Sequence, residues 1–249
     1  MDLGLAGARA LVTGGSRGIG LAVGRALAAE GARVALLGRD VDALAAAAVL
    51  TGPGTLTLTA DTTDDVAVRA AVEAAAAELG GLDVVVNAAA PRARPGPPAG
   101  LSDLDDDDFL LQLDTKALGY LRVVRAAALY LERDGGGRVV NVSGMNARAT
   151  GSITGSVRNI AVVALTKNLA DELGPRGVTV TCVHPGLTVT ERVADDPAYL
   201  EKAAQNSLGR PVTADDVAGV VAFLASPRAA AANGAVVTLD GGRPGALWA

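Results

Sequence analysis

The stretch Thr13-Gly14-Gly15-Ser16-Arg17-Gly18-Ile19-Gly20 decides how this chain is read. An apolar run precedes it and an alanine-rich amphipathic segment follows. It therefore predicts a strand, a tight glycine turn and a helix start. Glycine accepts the positive backbone angles of such a turn and lets main chain approach a ligand closely. The first helical turn presents unpaired N–H groups and the positive end of the helix dipole, which suit a pyrophosphate. A glycine turn alone is a common strand-to-helix connection. The strand before it and the helix after it favour a nucleotide site.

Outward from this turn the same alternation repeats. Short β-branched runs at 9–13, 33–37, 55–59, 83–87, 138–142, 178–183 and 235–239 read as strands. They are nearly continuous in apolar residues, as expected of parallel strands covered on both faces. Helical stretches are expected at 18–30, 40–50, 64–79, 104–133, 156–173 and 214–224, with a break near 113–115. This order predicts an α/β fold: a Rossmann-type doubly wound parallel sheet of about seven strands with helices on both faces. No linker divides the chain, so residues 1–249 are expected to form a single domain. Ligands of such sheets bind outside the carboxyl ends of the strands. Two irregular segments, 91–100 with Arg92 and Arg94, and 187–210, follow strand ends and are expected to border the pocket. The second is the expected substrate loop. The acidic run Asp105-Asp106-Asp107-Asp108 reads as charge at a helix start, where the dipole favours it, and no metal site is expected.

Composition limits the partners. Of 249 residues, 50% are apolar and 20% charged, with a net charge of −5. That excludes a mainly disordered chain and argues against a nucleic-acid surface. Cys182 is the one cysteine, which excludes an internal disulfide framework and a cysteine-rich zinc site. No apolar run reaches membrane-spanning length, and the start Met1-Asp2-Leu3-Gly4-Leu5 lacks the basic start and cleavage site expected of a signal peptide. A cytoplasmic location is expected, with no membrane partner.

Further landmarks lie along the chain in order. Asp61 follows the third strand, Asn87-Ala88-Ala89-Ala90 ends the fourth and Asn141-Val142-Ser143 ends the fifth. Pro185-Gly186-Leu187-Thr188-Val189-Thr190 follows the sixth, and Asp240-Gly241-Gly242 the last. With the Thr-Gly-x-x-x-Gly-x-Gly turn, the chain resembles the short-chain dehydrogenase/reductase family. The resemblance implies a dinucleotide held by Gly14, Ser16, Arg17, Gly18, Ile19 and Gly20. It also implies contacts from Asp61, Thr62, Asn87, Ala88 and Ala89, and from Pro185, Gly186, Thr188 and Thr190. A homodimer or homotetramer is expected, or assembly with an active homologue. The tail 244–249, which carries Trp248, is expected to reach a subunit contact.

Charge after the second strand bears on the choice of cofactor. NAD-binding versions of such folds carry an acidic residue after the second strand. Here that position is Gly38, followed by Arg39. Arg39 and Arg17 are expected to clamp a 2′-phosphate, favouring NADP(H) over NAD(H). Asp40 reads as a helix N-cap.

The family's proton-transfer residues are a tyrosine and a lysine four residues later, with a serine and an asparagine. Alignment through Thr166-Lys167-Asn168-Leu169 places Gly155 at the tyrosine position and Asn159 at the lysine position. Neither Tyr130 nor Tyr199 is followed by lysine at that spacing, and Lys167 lies about 12 Å along the helix from Asn159. The asparagine position is read as Asp114, and the serine position as Ser143 or Gly144. Ser143, Asp114, Asn159 and His184 are the candidate catalytic residues, with Ser152, Thr154, Ser156 and Arg158 nearby. His184, the one histidine, has a side chain whose ordinary pKa suits proton transfer near neutrality. Three functions are compatible with this pattern. The first is an atypical NADP(H)-dependent oxidoreductase acting on a small carbonyl, imine or activated alkene. The second is a catalytically silent dinucleotide-binding sensor or partner subunit. The third is a non-redox lyase or cyclase using the same cleft.

Overall fold

Strand β1 (Arg9–Thr13) leads into helix α1 (Gly18–Ala29), β2 (Arg33–Gly38), α2 (Val41–Thr51), β3 (Leu56–Thr59), α3 (Asp65–Leu79) and β4 (Val84–Asn87). The second half holds α4 (Asp106–Leu113), α5 (Gly119–Leu131), β5 (Arg138–Val142), α6 (Ile153–Leu173) and β6 (Thr179–Pro185). The short pieces β7 (Thr188–Val189), α7 (Pro197–Ala203) and β8 (Val212–Thr213) follow, then α8 (Ala214–Leu224) and β9 (Val236–Leu239). The computed structural model describes residues 2–91, 99–133 and 135–243. Most of the 91–100 segment, with Arg92 and Arg94, and the tail with Trp248 lie outside the described residues.

Seven strands form one parallel sheet in the order β3-β2-β1-β4-β5-β6-β9. The order reverses beside β1 and β4, which opens a crevice at their carboxyl ends. Alternation along each strand sends side chains to two separate cores. Ala10 and Val12 of β1 join Val23, Leu27, Leu44 and Val221 beneath α1, α2 and α8. Leu11 faces the other way, into the core of Val72, Val123, Val139 and Leu173 beneath α3, α5 and α6. The doubly wound α/β class expected from the sequence is the observed one.

Local chemistry sets the helix starts. Asp40 accepts the Ala43 N–H and caps α2, as expected. Asp64 caps α3 through Val66 and Ala67. Asp105 accepts the Asp107 N–H at the head of α4, so the acidic run sits at a helix start. Ser152 accepts the Gly155 N–H, which starts α6 at Ile153, ahead of the expected 156. Between α4 and α5 the chain makes a π-helical turn, Asp114–Leu118, at the expected break. A π turn adds a residue to the local repeat and re-aims the side chains after it.

The 187–210 segment is more regular than expected. Asp196 caps α7 by accepting the Tyr199 N–H, and Pro197 occupies the first helical turn. Thr188 and Val189 pair with Val212 and Thr213, closing the segment over the sheet end. Among the described residues no helix is long and apolar enough to cross a membrane.

Candidate active site

A cleft of about 850 Å³ runs across the carboxyl ends of the strands. Its floor begins at the β1–α1 turn. Gly14 (φ +66°) and Gly18 (φ +55°) hold left-handed backbone there. A Cβ on Gly14 would lie 2.8 Å from the Ala88 carbonyl, and one on Gly20 only 2.2 Å from the Gly14 carbonyl oxygen. Any side chain at either position would break the turn, so the close main-chain packing requires glycine. The start of α1 is thereby exposed to the cleft. The Glu191 carboxylate occupies it, accepting the Gly18 N–H through both oxygens at 3.0 and 3.1 Å. An acidic side chain thus stands where an anion is favoured. This glycine cradle, with its helix N-terminus already holding a carboxylate, fits a dinucleotide pyrophosphate.

Gly14, Ser16, Arg17, Gly18, Ile19 and Gly20 line the cleft, as the sequence implies. So do Arg39, Thr62, Ala88, Ala89, Pro185, Gly186, Thr188 and Thr190. Arg17 and Arg39 sit on its rim. Arg17 Nη2 lies 3.4 Å from Asp40 Oδ2 and Arg39 Nη1 lies 3.3 Å from Asp61 Oδ2, both pairs partly exposed.

Asp61 and Asn87 are not among the residues that line the cleft. Asp61 Oδ1 accepts the Thr63 N–H and hydroxyl, and Oδ2 faces Arg39. Partial burial works to raise its pKa, but these hydrogen bonds and the Arg39 charge outweigh it and hold the carboxyl below its usual range. Asn87 is fully buried. Its Nδ2 donates to Asn141 Oδ1 at 3.0 Å, and Asn141 Nδ2 donates to Thr166 Oγ1 at 3.0 Å. This chain of amides ties β4 to β5 and α6. Thr13 Oγ1 instead holds the turn after β4, accepting the Ala88 and Ala89 N–H groups.

The inner wall differs most from expectation. Asp114, read as the asparagine position, does not line the cleft; it pairs with Arg122 at 2.7 Å. Lys116, two residues on along the π turn, lines it instead. Lys116 is only 4% exposed. Its Nζ donates to the Ser143 carbonyl at 2.7 Å and to Asn159 Oδ1 at 2.9 Å. Burial, with the Arg158 charge acting in the same direction, lowers its pKa from 10.5 to about 7. Ser143 and Asn159 both line the cleft, as expected. The Ser143 hydroxyl, however, donates to the Asn159 carbonyl at 2.9 Å and so fastens β5 to α6.

His184 is not brought into the cleft. It lies in β6, 2% exposed, with Nδ1 unpartnered. Burial, Arg148 and Lys116 lower its pKa from 6.5 to about 4, so the ring is neutral at neutral pH. Among the other candidates, Arg158 lines the cleft while Ser152, Thr154 and Ser156 do not. Arg158 Nη1 donates to Gln112 Oε1, and its buried Nε has no partner. Sequence reasoning also missed Tyr199, which lines the cleft and donates to the Thr188 carbonyl at 3.2 Å.

Comparison with known proteins agrees with this geometry. The family described as Enoyl-(Acyl carrier protein) reductase matches residues 14–243. The short-chain reductase protein NovJ of Streptomyces niveus is 35% identical over 94% of this chain and 93% of its own length. A dehydrogenase/reductase from Sinorhizobium meliloti 1021 superposes with a TM-score of 0.89 at 34% identity, covering 98% of each chain. A short chain dehydrogenase from Burkholderia cenocepacia J2315, solved in complex with NADP, superposes with a TM-score of 0.85. It is 36% identical and covers 96% of this chain and 98% of its own. With the glycine cradle at the sheet's switch point and these matches along nearly its whole length, the chain belongs to the short-chain dehydrogenase/reductase family of oxidoreductases.

Proposed function

We propose that this protein is an NADP(H)-dependent oxidoreductase that acts on a small carbonyl, imine or activated alkene without the family's tyrosine and lysine pair. The observation that carries the reading is one continuous cleft. It joins a glycine cradle, two rim arginines and a buried ammonium. The cradle residues Gly14, Gly18 and Gly20 would hold the pyrophosphate. Arg17 and Arg39 would exchange their weak carboxylate contacts for a 2′-phosphate, since charge-assisted hydrogen bonds to guanidinium are strong and often bidentate. The NADP-bound Burkholderia relative supports this choice. Pro185, Gly186, Thr188 and Thr190 would seat the nicotinamide end. The dinucleotide, when bound, supplies or accepts the hydride.

The test is substrate-dependent oxidation of NADPH by purified protein across panels of ketones, imines and conjugated alkenes. Turnover on one class supports the reading. Gly155 and Asn159 at the tyrosine and lysine positions favour a second reading, a silent dinucleotide-binding subunit. NADPH binding with no turnover on any panel would select it.

Self-association is also proposed. Leu110, Leu111 and Leu118, with Val157 and Ile160 of α6, are exposed apolar residues on neighbouring helices beside the cleft. Covering such a patch is favourable. Analytical ultracentrifugation is expected to show a dimer or tetramer; a monomer at all concentrations would contradict it.

A further inference from the structure

We propose that the Lys116 ammonium, presented to the cleft between the Ser143 carbonyl and the Asn159 amide oxygen, carries the proton to the substrate's C=O oxygen or C=N nitrogen. The proposal rests on the redox reading above and supplies the group that reading lacks. Four observations carry it.

Lys116 is buried yet lines the inner end of the cleft. Among the described residues no carboxylate lies within ion-pair distance of its Nζ. Its two partners are neutral oxygens, a main-chain carbonyl and an amide. A lysine kept only for structure is normally paired when buried this deeply.

The two acceptors suit both protonation states. An ammonium has three N–H bonds and a neutral amine has two. In either state two hydrogens are taken by Ser143 and Asn159. The remaining position carries an N–H when charged and a lone pair when neutral. That is the position where a proton can leave or return without breaking either existing hydrogen bond.

Glycine at 144 is what makes room. A Cβ there would lie 2.9 Å from Asn159 Nδ2. A side chain at 144 would push on the amide that holds Lys116. Gly144, Asn159 and Lys116 therefore form a matched set. The last supplies, from the turn between α4 and α5, the amine that α6 lacks at 159.

The remaining proton-bearing groups are poorly placed. Tyr120 donates to the Ala89 and Val142 carbonyls, is fully buried, and its pKa is raised by burial. The Tyr199 pKa is also raised by burial, and its hydroxyl is committed to Thr188. His184 is buried in β6, outside the residues that line the cleft, and its lowered pKa leaves it without a proton to give near neutrality. Around Lys116 the titratable and charged groups are Arg158 on α6, Tyr120 on α5, and Cys182 and His184 on β6. Burial and Arg158 disfavour the charged amine, which brings its titration close to neutrality.

The step balances. As the substrate carbon accepts the hydride, the C=O or C=N π pair moves to oxygen or nitrogen. That atom forms a bond to the Nζ proton, and the Nζ–H bond pair stays on nitrogen as the neutral amine's lone pair. The substrate is reduced by two electrons, the dinucleotide is oxidised by two, and solvent later returns a proton to Nζ. In the oxidising direction the neutral amine accepts the hydroxyl or amine proton.

The chain has three lysines, Lys116, Lys167 and Lys202, so protein labelled with ¹³Cε-lysine gives three signals. Lys116 is assigned as the signal missing from Lys116→Met. It is expected to titrate near pH 7, well below the ordinary lysine value of 10.5. Lys116→Arg keeps the charge but cannot release a proton in this range. It is expected to bind NADPH, followed by its fluorescence, while losing about 10²–10⁴-fold in turnover. A Lys116 signal that stays protonated up to the ordinary lysine value of 10.5, or full turnover by Lys116→Arg, would overturn the assignment. If Lys116→Arg does not fold, the wild-type titration decides alone. Failure of wild-type protein to bind NADPH would instead remove the redox reading, and the proton-carrier role with it.

Discussion

Glu191 and Gly18 are joined across the mouth of the cleft: both carboxylate oxygens accept the N–H that opens helix α1. The contact satisfies the helix end with a charge that a pyrophosphate would replace. Entry of the dinucleotide therefore requires Glu191 to withdraw. Glu191→Gln is expected to tighten NADPH binding roughly two- to fivefold, the equivalent of ~0.3–1 kcal/mol for a charge at a helix end. Calorimetric titration of both proteins checks it. Unchanged or weaker binding would mean that the carboxylate and the nucleotide do not compete.

Arg39 tests the phosphate clamp. Arg39→Glu places a negative charge where the 2′-phosphate is expected. NADPH affinity should fall roughly tenfold or more beyond any loss of NADH affinity, as follows from ~1.5–3 kcal/mol for a hydrogen bond to a charged group. Equal losses for the two nucleotides would remove Arg39 from the phosphate site.

Lys116 should also leave its mark on stability. In the unfolded chain its amine holds a proton up to about 10.5, and in the folded chain only up to about 7. Between those values the unfolded state binds more protons, so this group makes stability rise with pH. Its penalty is complete below pH 7 and fades above it. Cys182 works oppositely above its ordinary 9.0, because burial raises its folded pKa to about 11. The informative window is therefore about pH 7 to about pH 9, where urea midpoints should rise. Lys116→Met should flatten that rise. A slope unchanged by the substitution would show that the amine is not depressed.

Much of the fold was legible because its signals are local. The runs at 9–13 and 138–142 coincide with β1 and β5, and 214–224 with α8, since apolar strands and capped helices announce themselves over a few residues. The cradle was legible for the same reason: each glycine answers to a steric demand within the turn. The side-chain positions of Asp61 and Asn87 were not legible: Asp61 is held by its near neighbour Thr63, and Asn87 by Asn141, a partner that only the fold brings close. Lys116 was hidden by the π turn. Its added residue brings 116 inward and leaves 114 to Arg122, and no local pattern marks such a turn. A lysine among apolar residues before Gly119, whose Cβ would strike Thr62 at 2.8 Å, was the available clue. His184 has an ordinary pKa suited to proton transfer, but β6 buries the ring, outside the residues that line the cleft, and burial lowers its pKa to about 4.

The most direct measurement is calorimetric titration of the purified wild-type protein with NADPH and, separately, with NADH. Saturable binding of both is expected, with NADPH the tighter. Absence of heat with either nucleotide, at protein concentrations where folded structure is verified, would contradict a dinucleotide cleft and every chemical role assigned within it.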